Sequence, residues 1–352
     1  MGNRVKILDC TLRDGGLGLE DAYKNNISNI SFNNKDNDKI IELLNETNID
    51  LIELGSIEIS EDDKTKFAIY QDVESISKKI PKKKNINSMY VGLFRGPDTP
   101  IDNIPLWNPS LVDGLRVILR YSELKKSLDF CETLTKKGYK VFVQPMLTMR
   151  YTDDELDYII KRTNEMNAYA LYFVDSYGYM ESNDVLRLFE KYDHNLDKNI
   201  MIGFHAHNNM NLAYANALKF IDINTTRQLI CDSCVIGMGQ GAGNLQTELI
   251  AYYLNKNKRK QYNYRKILEI CDIIETYTAD SMWGYSVTRL LPALHKTAYK
   301  YAISLRKHDG LTFSEIDRLL SIMPEELRNR YTPKNKKQLL MLAGLYDKKI
   351  NN

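Results

Sequence analysis

His205 and His207 lie two residues apart in the stretch GFHAHNN, in a chain that contains only five histidines. They follow the short apolar run KNIMI. In a β-strand, residues i and i+2 share a face, so two imidazoles at a strand end can grip one divalent cation. Far upstream, LDCTLRDGG sets Arg13 and Asp14 just past another apolar run. Two imidazoles, a carboxylate and an amide or water oxygen form a mixed N/O set suited to Mn²⁺, Mg²⁺, Zn²⁺ or Fe²⁺. Such a set keeps positions open for a substrate, unlike a closed thiolate site.

These groups need elements to carry them. Eight short apolar, β-branched runs recur at residues 5–10, 50–56, 88–94, 114–120, 140–146, 170–176, 199–205 and 228–237. Segments of helical character separate them, among them DNDKIIELLNETN, SELKKSLDFCETLTKKG, TDDELDYIIKRTNEM and NLAYANALKFI. Asp36 or Asp38, Ser122 and Thr152 are N-cap candidates, and Gly138 suits a helix C-terminus. Eight strand–helix units in about 250 residues predict an α/β fold, a (β/α)₈ TIM barrel, with a doubly wound sheet as the alternative. Continuous apolar runs fit parallel strands covered by helices.

A barrel displays its chemistry at the C-terminal ends of its strands. The groups expected there are Arg13 and Asp14, Glu53, Arg120, Gln144, Asp175 and Ser176, and His205 and His207; the eighth strand leads through GMGQGAGN to Asn244. Gly15 and Gly16 are expected to let the chain turn sharply after Asp14. Position in the chain also discriminates, because barrel amidohydrolases carry H-x-H on the first strand and this pair follows the seventh.

Past residue 255 the pattern becomes helical only, so the chain divides into a barrel at 1–255 and a C-terminal helical region at 256–352. SVTRLLPALHKTAYKYAISL reads there as one helix, with His295 and Tyr299 on one face.

Forty-eight Lys and Arg against 46 Asp and Glu leave a net charge of +2, which gives no electrostatic case for nucleic acid. Five scattered cysteines do not make a disulfide framework. Cys231 and Cys234 form a C-x-x-C inside an apolar run and read as buried small hydrophobes. The N-terminus lacks a signal-type apolar stretch, no segment reaches membrane-spanning length, and a cytoplasmic location is expected.

LDCTLRDGG, ELGS, VDSYG, FHAHNN and GMGQGAGN, in this order, resemble the DRE-TIM metallolyase superfamily over residues 5 to about 255. Among its members the sequence is most similar to the bacterial 4-hydroxy-2-oxovalerate aldolases, because GMGQGAGN lacks the cysteine that the CoA lyases carry there. The resemblance implies a divalent metal (Mn²⁺ or Mg²⁺, with Zn²⁺ a further candidate) bound by Asp14, His205 and His207, with Asn244 completing the site. It implies that Arg13 stabilises an enolate oxygen and that Glu53 and Asp175 hold these groups in place. Arg120, Gln144, Ser176, Tyr285 and His295 are the substrate-binding candidates. The implied activity is that of an aldolase or lyase acting on a small 2-oxo acid. A homodimer is expected by analogy, and nothing in the sequence indicates an aldehyde dehydrogenase partner.

The chain departs from the aldolases at one position. They carry a histidine base three residues past the metal Asp, where this chain has Leu17. Glu20, Asp21 and Tyr23 are the nearby groups able to carry a proton instead. Two alternatives follow: a Claisen-type condensing synthase of acyl-CoA and a 2-oxo acid, or a metal-binding barrel that serves as a binding module.

Overall fold

The computed structural model describes residues 4–25, 27–277 and 283–345. Eight strands form the barrel: β1 (Val5–Asp9), β2 (Leu51–Ile57), β3 (Met89–Phe94), β4 (Gly114–Leu119), β5 (Lys140–Pro145), β6 (Ala170–Asp175), β7 (Met201–Ala206) and β8 (Leu229–Ser233). Each runs parallel to the next. The pairing of β8 with β1, Val5 opposite Leu229, closes the ring. A two-residue strand, Ile69–Tyr70, adds to β2. The expected TIM barrel is the fold observed.

The interior is layered by the two-residue period of the strands. Leu8, Leu51, Val91, Phe142, Ala170, Tyr172 and Ile230 form one buried apolar cluster. Two residues further along β2, β5 and β8 come Glu53, Gln144 and Asp232, all buried. An apolar floor therefore lies beneath a charged upper layer. Two glycines let the large rings fit. A Cβ on Gly203 would sit 2.3 Å from the Tyr172 ring, and one on Gly114 would sit 2.7 Å from Phe142.

Helix α1 (Thr11–Lys24) starts directly after β1. The expected sharp turn at Gly15 and Gly16 is absent: both are helical, and neither has a positive φ. They are needed for close approach instead. A Cβ on Gly16 would lie 2.0 Å from the Phe67 carbonyl oxygen, and one on Gly15 would lie 2.6 Å from Met238 Sδ. The start of α1 is also clamped to the chain that follows the neighbouring strand β8. Thr247 Oγ1 donates to Asp9 Oδ2 at 2.7 Å, and Thr11 Oγ1 accepts from Val235 N at 2.8 Å. Arg13 and Asp14 thus ride on a fixed first helical turn rather than on a loop.

The βα units are less even than the sequence suggests. Helices α2 (Asn34–Glu46) and α3 (Val73–Ser77) precede β2 and β3, but only a short 3₁₀ turn, Ile101–Asn103, lies between β3 and β4. The cap of α2 is Asn33, which accepts from Asp36 N, rather than Asp36 or Asp38. Helices α4 (Leu124–Lys136), α5 (Asp153–Glu165), α6 (Ser182–Asn195), α7 (Ala213–Ile221) and α8 (Thr247–Lys258) follow the later strands. Thr152 and Glu155 make a capping box on α5.

Helix α9 (Tyr264–Glu275) buries Ile267, Ile270 and Ile274 in the core of the barrel. From Leu291 onward a separate apolar core is built by α10 (Val287–Leu294), α11 (Lys300–Lys307), α12 (Phe313–Ser321), α13 (Glu325–Arg328) and α14 (Pro333–Leu342). The single helix expected across residues 286–305 is two, because Lys296 adopts φ 52° and breaks it. His295 and Tyr299 therefore do not share a helix face. Among the described residues no helix is long and apolar enough to cross a membrane.

A methyl group at Gly16 must displace backbone, not a flexible side-chain end. Gly16→Ala is expected to destabilise the protein by about 1–3 kcal/mol or more, measured by urea denaturation, and to weaken metal binding by moving Asp14.

Candidate metal centre

One oxygen of Asp14 and one ring nitrogen each of His205 and His207 lie within 4.8 Å of one another, and all three residues are enclosed by the fold. Asp14 lies nearly 200 residues from the two histidines in the chain. The first turn of α1 carries Asp14, His205 points inward from β7, and His207 follows one residue beyond β7. Asp14 Oδ2 lies 3.7 Å from His205 Nε2 and 3.9 Å from His207 Nε2. The two imidazoles stand edge to face, 5.1 Å between centroids.

Both rings have their Nδ1 side engaged. His205 Nδ1 sits 3.0 Å from Asp232 Oδ2, and His207 Nδ1 sits 3.3 Å from the Gln240 carbonyl oxygen. Each neighbour is an acceptor, so each Nδ1 carries the proton and each Nε2 lone pair faces Asp14. Burial, reinforced at His205 by Arg13, keeps both imidazoles below their ordinary pKa and hence neutral. Burial pushes the Asp14 carboxyl up, but the Arg13 guanidinium, with the Asn244 hydrogen bond, outweighs it and holds it below the ordinary carboxylate range. An ionised carboxylate and two neutral imidazoles with outward-anchored Nδ1 atoms are the states that ligate a metal.

Asn244 closes the cluster. Its Nδ2 donates to Asp14 Oδ2 and, at 3.2 Å, to Met238 O, while its Oδ1 is buried with no hydrogen-bond partner. An orphaned buried carbonyl beside a carboxylate and two imidazoles fits a cation. Gly239 is needed here, because a Cβ would lie 2.1 Å from Asn244 Nδ2. Cys10, His205 and Asp232 also approach one another. In this second set, however, Cys10 Sγ contacts Ser233 O and Cys234 Sγ, and His205 Nδ1 and Asp232 Oδ2 are hydrogen-bonded to each other.

A chain of buried charges supports the cluster. Arg13 Nη1 lies 2.9 Å from Asp14 Oδ1, and its Nε donates to Glu53 Oε2 at 2.8 Å. The same glutamate oxygen accepts from Arg116 Nη1 at 2.7 Å. Arg116 Nη2 donates to Asp232 Oδ2 and, at 3.1 Å, to Gln144 Oε1. The Arg116 guanidinium lies over the Tyr172 ring, 5.0 Å from its centroid. The path Asp14–Arg13–Glu53–Arg116–Asp232–His205 therefore begins and ends on the metal cluster. Arg116 and Asp232 were not among the sequence candidates. The signal was present, since each is a charge set inside an apolar strand run, as Glu53 is.

The other candidates separate. Gln144 joins the chain, and its Nε2 is buried and without a hydrogen-bond partner. Asp175 accepts from Tyr179 N at 2.9 Å and from Met180 N at 3.0 Å, so it holds the turn after β6, and burial pushes it up to about 7. Ser176 Oγ accepts from Leu147 N. Arg120 is committed to rim carboxylates, Asp98 and Glu123. His295 pairs with Asp317 at 2.8 Å, and Tyr285 is 57% exposed. The structure brings none of these last four into the metal cluster. Leu17 is buried in the apolar core.

Residues 119–274 match the HMGL-like family. The 4-hydroxy-2-oxovalerate aldolase of Burkholderia pseudomallei is 32% identical over 167 residues, 47% of each chain, so the match spans about half the length of that relative. The oxaloacetate decarboxylase of Mycobacterium tuberculosis is 26% identical over 71% of this chain and 70% of that protein. The carboxyl transferase domain of Rhizobium etli pyruvate carboxylase, solved with pyruvate, superposes with a TM-score of 0.70 at 14% identity over 97% of this chain and 61% of that one. Over its barrel the chain is thus similar to HMGL-like proteins, and the curated relatives it matches are enzymes.

Asp232→Asn is expected to lower affinity for Mn²⁺ about 10–100-fold in calorimetric titration, and Asp14→Asn to lower it further. Asp175 gives a pH signature. Its folded pKa of about 7 exceeds its ordinary 3.8, so its contribution to stability is full at low pH and is lost as pH rises through about 7. Denaturation midpoints between pH 5 and pH 8 are expected to fall more steeply for the wild type than for Asp175→Asn.

Proposed function

We propose that the protein is a divalent-metal-dependent aldolase or lyase that breaks or forms a carbon–carbon bond next to a 2-oxo acid through a pyruvate-type enolate. One observation carries this reading: the ionised Asp14 and two neutral imidazoles share their space with a permanently charged guanidinium, Arg13, at the barrel mouth. The bound metal, Mn²⁺ or Mg²⁺ for this oxygen-containing set, would supply Lewis acidity toward the keto and carboxylate oxygens of the substrate.

The chain's own groups supply the rest. Arg13 presents fixed positive charge where enolate oxygen develops, and such preorganised charge is the largest catalytic effect available to a buried site. Glu53 holds the Arg13 Nε edge and leaves the rest of the fork free for Asp14 and a substrate oxygen. The unpartnered Gln144 Nε2 and Asn244 Oδ1 are further polar contacts for a ligand. Decarboxylation of oxaloacetate and cleavage of a 4-hydroxy-2-oxo acid both leave the pyruvate enolate. The names of the two relatives therefore support the same intermediate.

With Mn²⁺ present, the protein is expected to exchange the C3 protons of pyruvate with solvent deuterium and to release pyruvate from oxaloacetate or from 4-hydroxy-2-oxo acids. Arg13→Lys is expected to lower turnover about 10²–10³-fold. A metal-loaded protein that neither exchanges nor releases pyruvate overturns the reading.

A further inference from the structure

A cavity opens beside the metal cluster, between α1, the strand-8 loop at residues 239–241 and helix α11. Gly239 is where the two meet. It lines the cavity, and a Cβ on it would lie 3.1 Å from Asp14 Oδ2. On the α1 wall stands Asp21, four residues and about one helical turn beyond Leu17, hence on the same helix face. Across the cavity α11 and its cap supply Tyr299 and Lys300. Tyr299 donates its hydroxyl to Asp21 Oδ2 at 2.8 Å, and the Lys300 ammonium pairs with Asp21 Oδ1.

Cleavage of a 4-hydroxy-2-oxo acid needs a group that removes the C4 hydroxyl proton. Most titratable groups at the mouth are engaged elsewhere. Asp14, His205 and His207 face the metal position, Glu53 and Asp232 are tied to arginines, and Asp175 is tied to backbone amides. Of the three residues near Leu17 able to carry a proton, Glu20 is spent on Lys24 and Arg95, and Tyr23 is exposed on the outer face over Lys66. Asp21 alone of the three lines the cavity.

We propose that Tyr299 and Asp21, with Lys300, form the proton relay of the aldol step and that their cavity receives the aldehyde portion of the substrate. The inference rests on the aldolase reading above. In the cleavage direction the C4 hydroxyl proton passes to Tyr299 Oη as the phenol proton passes to the Asp21 carboxylate. The electrons of the O–H bond become the second bond of the aldehyde, the C3–C4 bond breaks, and its electron pair forms the C2=C3 bond of the enolate, with negative charge on the C2 oxygen. Asp21 then gives its proton to solvent, and the enolate takes its C3 proton from solvent to give pyruvate. Lys300 keeps Asp21 in place between turnovers. Burial and the Asp21 charge raise the Tyr299 phenol above its ordinary pKa, so it rests protonated and acts as a conduit rather than as a standing base. Asp21, Lys300, Arg289, His308 and Gln240 give the cavity a polar wall. The matching aldehydes are hydroxylated or anionic ones.

Oxaloacetate separates the steps, because its decarboxylation reaches the same enolate with no hydroxyl proton to remove. With the Mn²⁺-loaded full chain, oxaloacetate decarboxylation and cleavage of 4-hydroxy-2-oxovalerate and longer hydroxylated homologues are measured for the wild type, Tyr299→Phe, Asp21→Asn and His308→Ala. The expected result is a ratio of cleavage to decarboxylation lowered at least about 10²-fold in Tyr299→Phe and in Asp21→Asn, with Mn²⁺ affinity by calorimetry unchanged within about twofold. Equal loss of both reactions, loss of Mn²⁺ binding, or a fall confined to His308→Ala overturns the relay. So does a wild type that decarboxylates oxaloacetate but cleaves none of the hydroxy acids. A wild type inactive in both reactions and in pyruvate proton exchange removes the aldolase reading itself.

Discussion

Arg116 holds a full positive charge inside a β-barrel at zero exposure. Such a charge is tolerable only if it is paired. Glu53 takes Nη1 and Asp232 takes Nη2, with Gln144 also accepting from Nη2 and the face of Tyr172 against the guanidinium, while Nε is left without a hydrogen-bond partner. The pairing has a second effect. Glu53 also fixes Arg13, and Asp232 also fixes His205. One electrostatic constraint thus fixes both the Arg13 guanidinium and the His205 imidazole at the barrel mouth. Removing either carboxylate leaves an uncompensated buried charge, a penalty of about 3–5 kcal/mol, so chemistry and folding are coupled through the same residues.

The layering of the barrel makes that arrangement affordable in space. Successive inward positions differ by two residues along each strand, so a strand that contributes an apolar residue to the floor contributes a polar one to the mouth. Leu51 and Glu53, Phe142 and Gln144, and Ile230 and Asp232 are such pairs. The mouth is then completed by helix rather than loop. Asp14 sits on α1, whose glycines allow it to pack directly on Phe67 and Met238. Fixing the carboxylate on a helix keeps the distance to the histidines determined by backbone and not by loop sampling.

Much of this was legible in the sequence, for physical reasons that also explain what was not. The barrel follows from eight apolar runs, because parallel strands covered on both faces must read as continuous hydrophobics. Asp14, His205 and His207 were legible because H-x-H parity and strand-end position are local properties. Arg116 and Asp232 were not recognised, because the apolar runs were read as wholly apolar and charges inside them were treated as incidental. The turn expected at Gly15 and Gly16 failed because glycine serves close packing as well as positive φ, and sequence does not distinguish the two. His295 and Tyr299 were grouped by helical period, which the left-handed Lys296 interrupts. Asp21 was one of three equal candidates until α11 placed Tyr299 and Lys300 against it.

The two glycines that admit the rings of Phe142 and Tyr172 have a consequence for traffic. With those rings seated among Leu8, Leu51, Val91 and Ile230, the barrel axis is plugged below the charged layer. The vessel is a cup with one rim. Any ligand of the charged layer must come and go across that rim, near the point where Tyr299 and Lys300 meet Asp21 of α1, and not through the barrel.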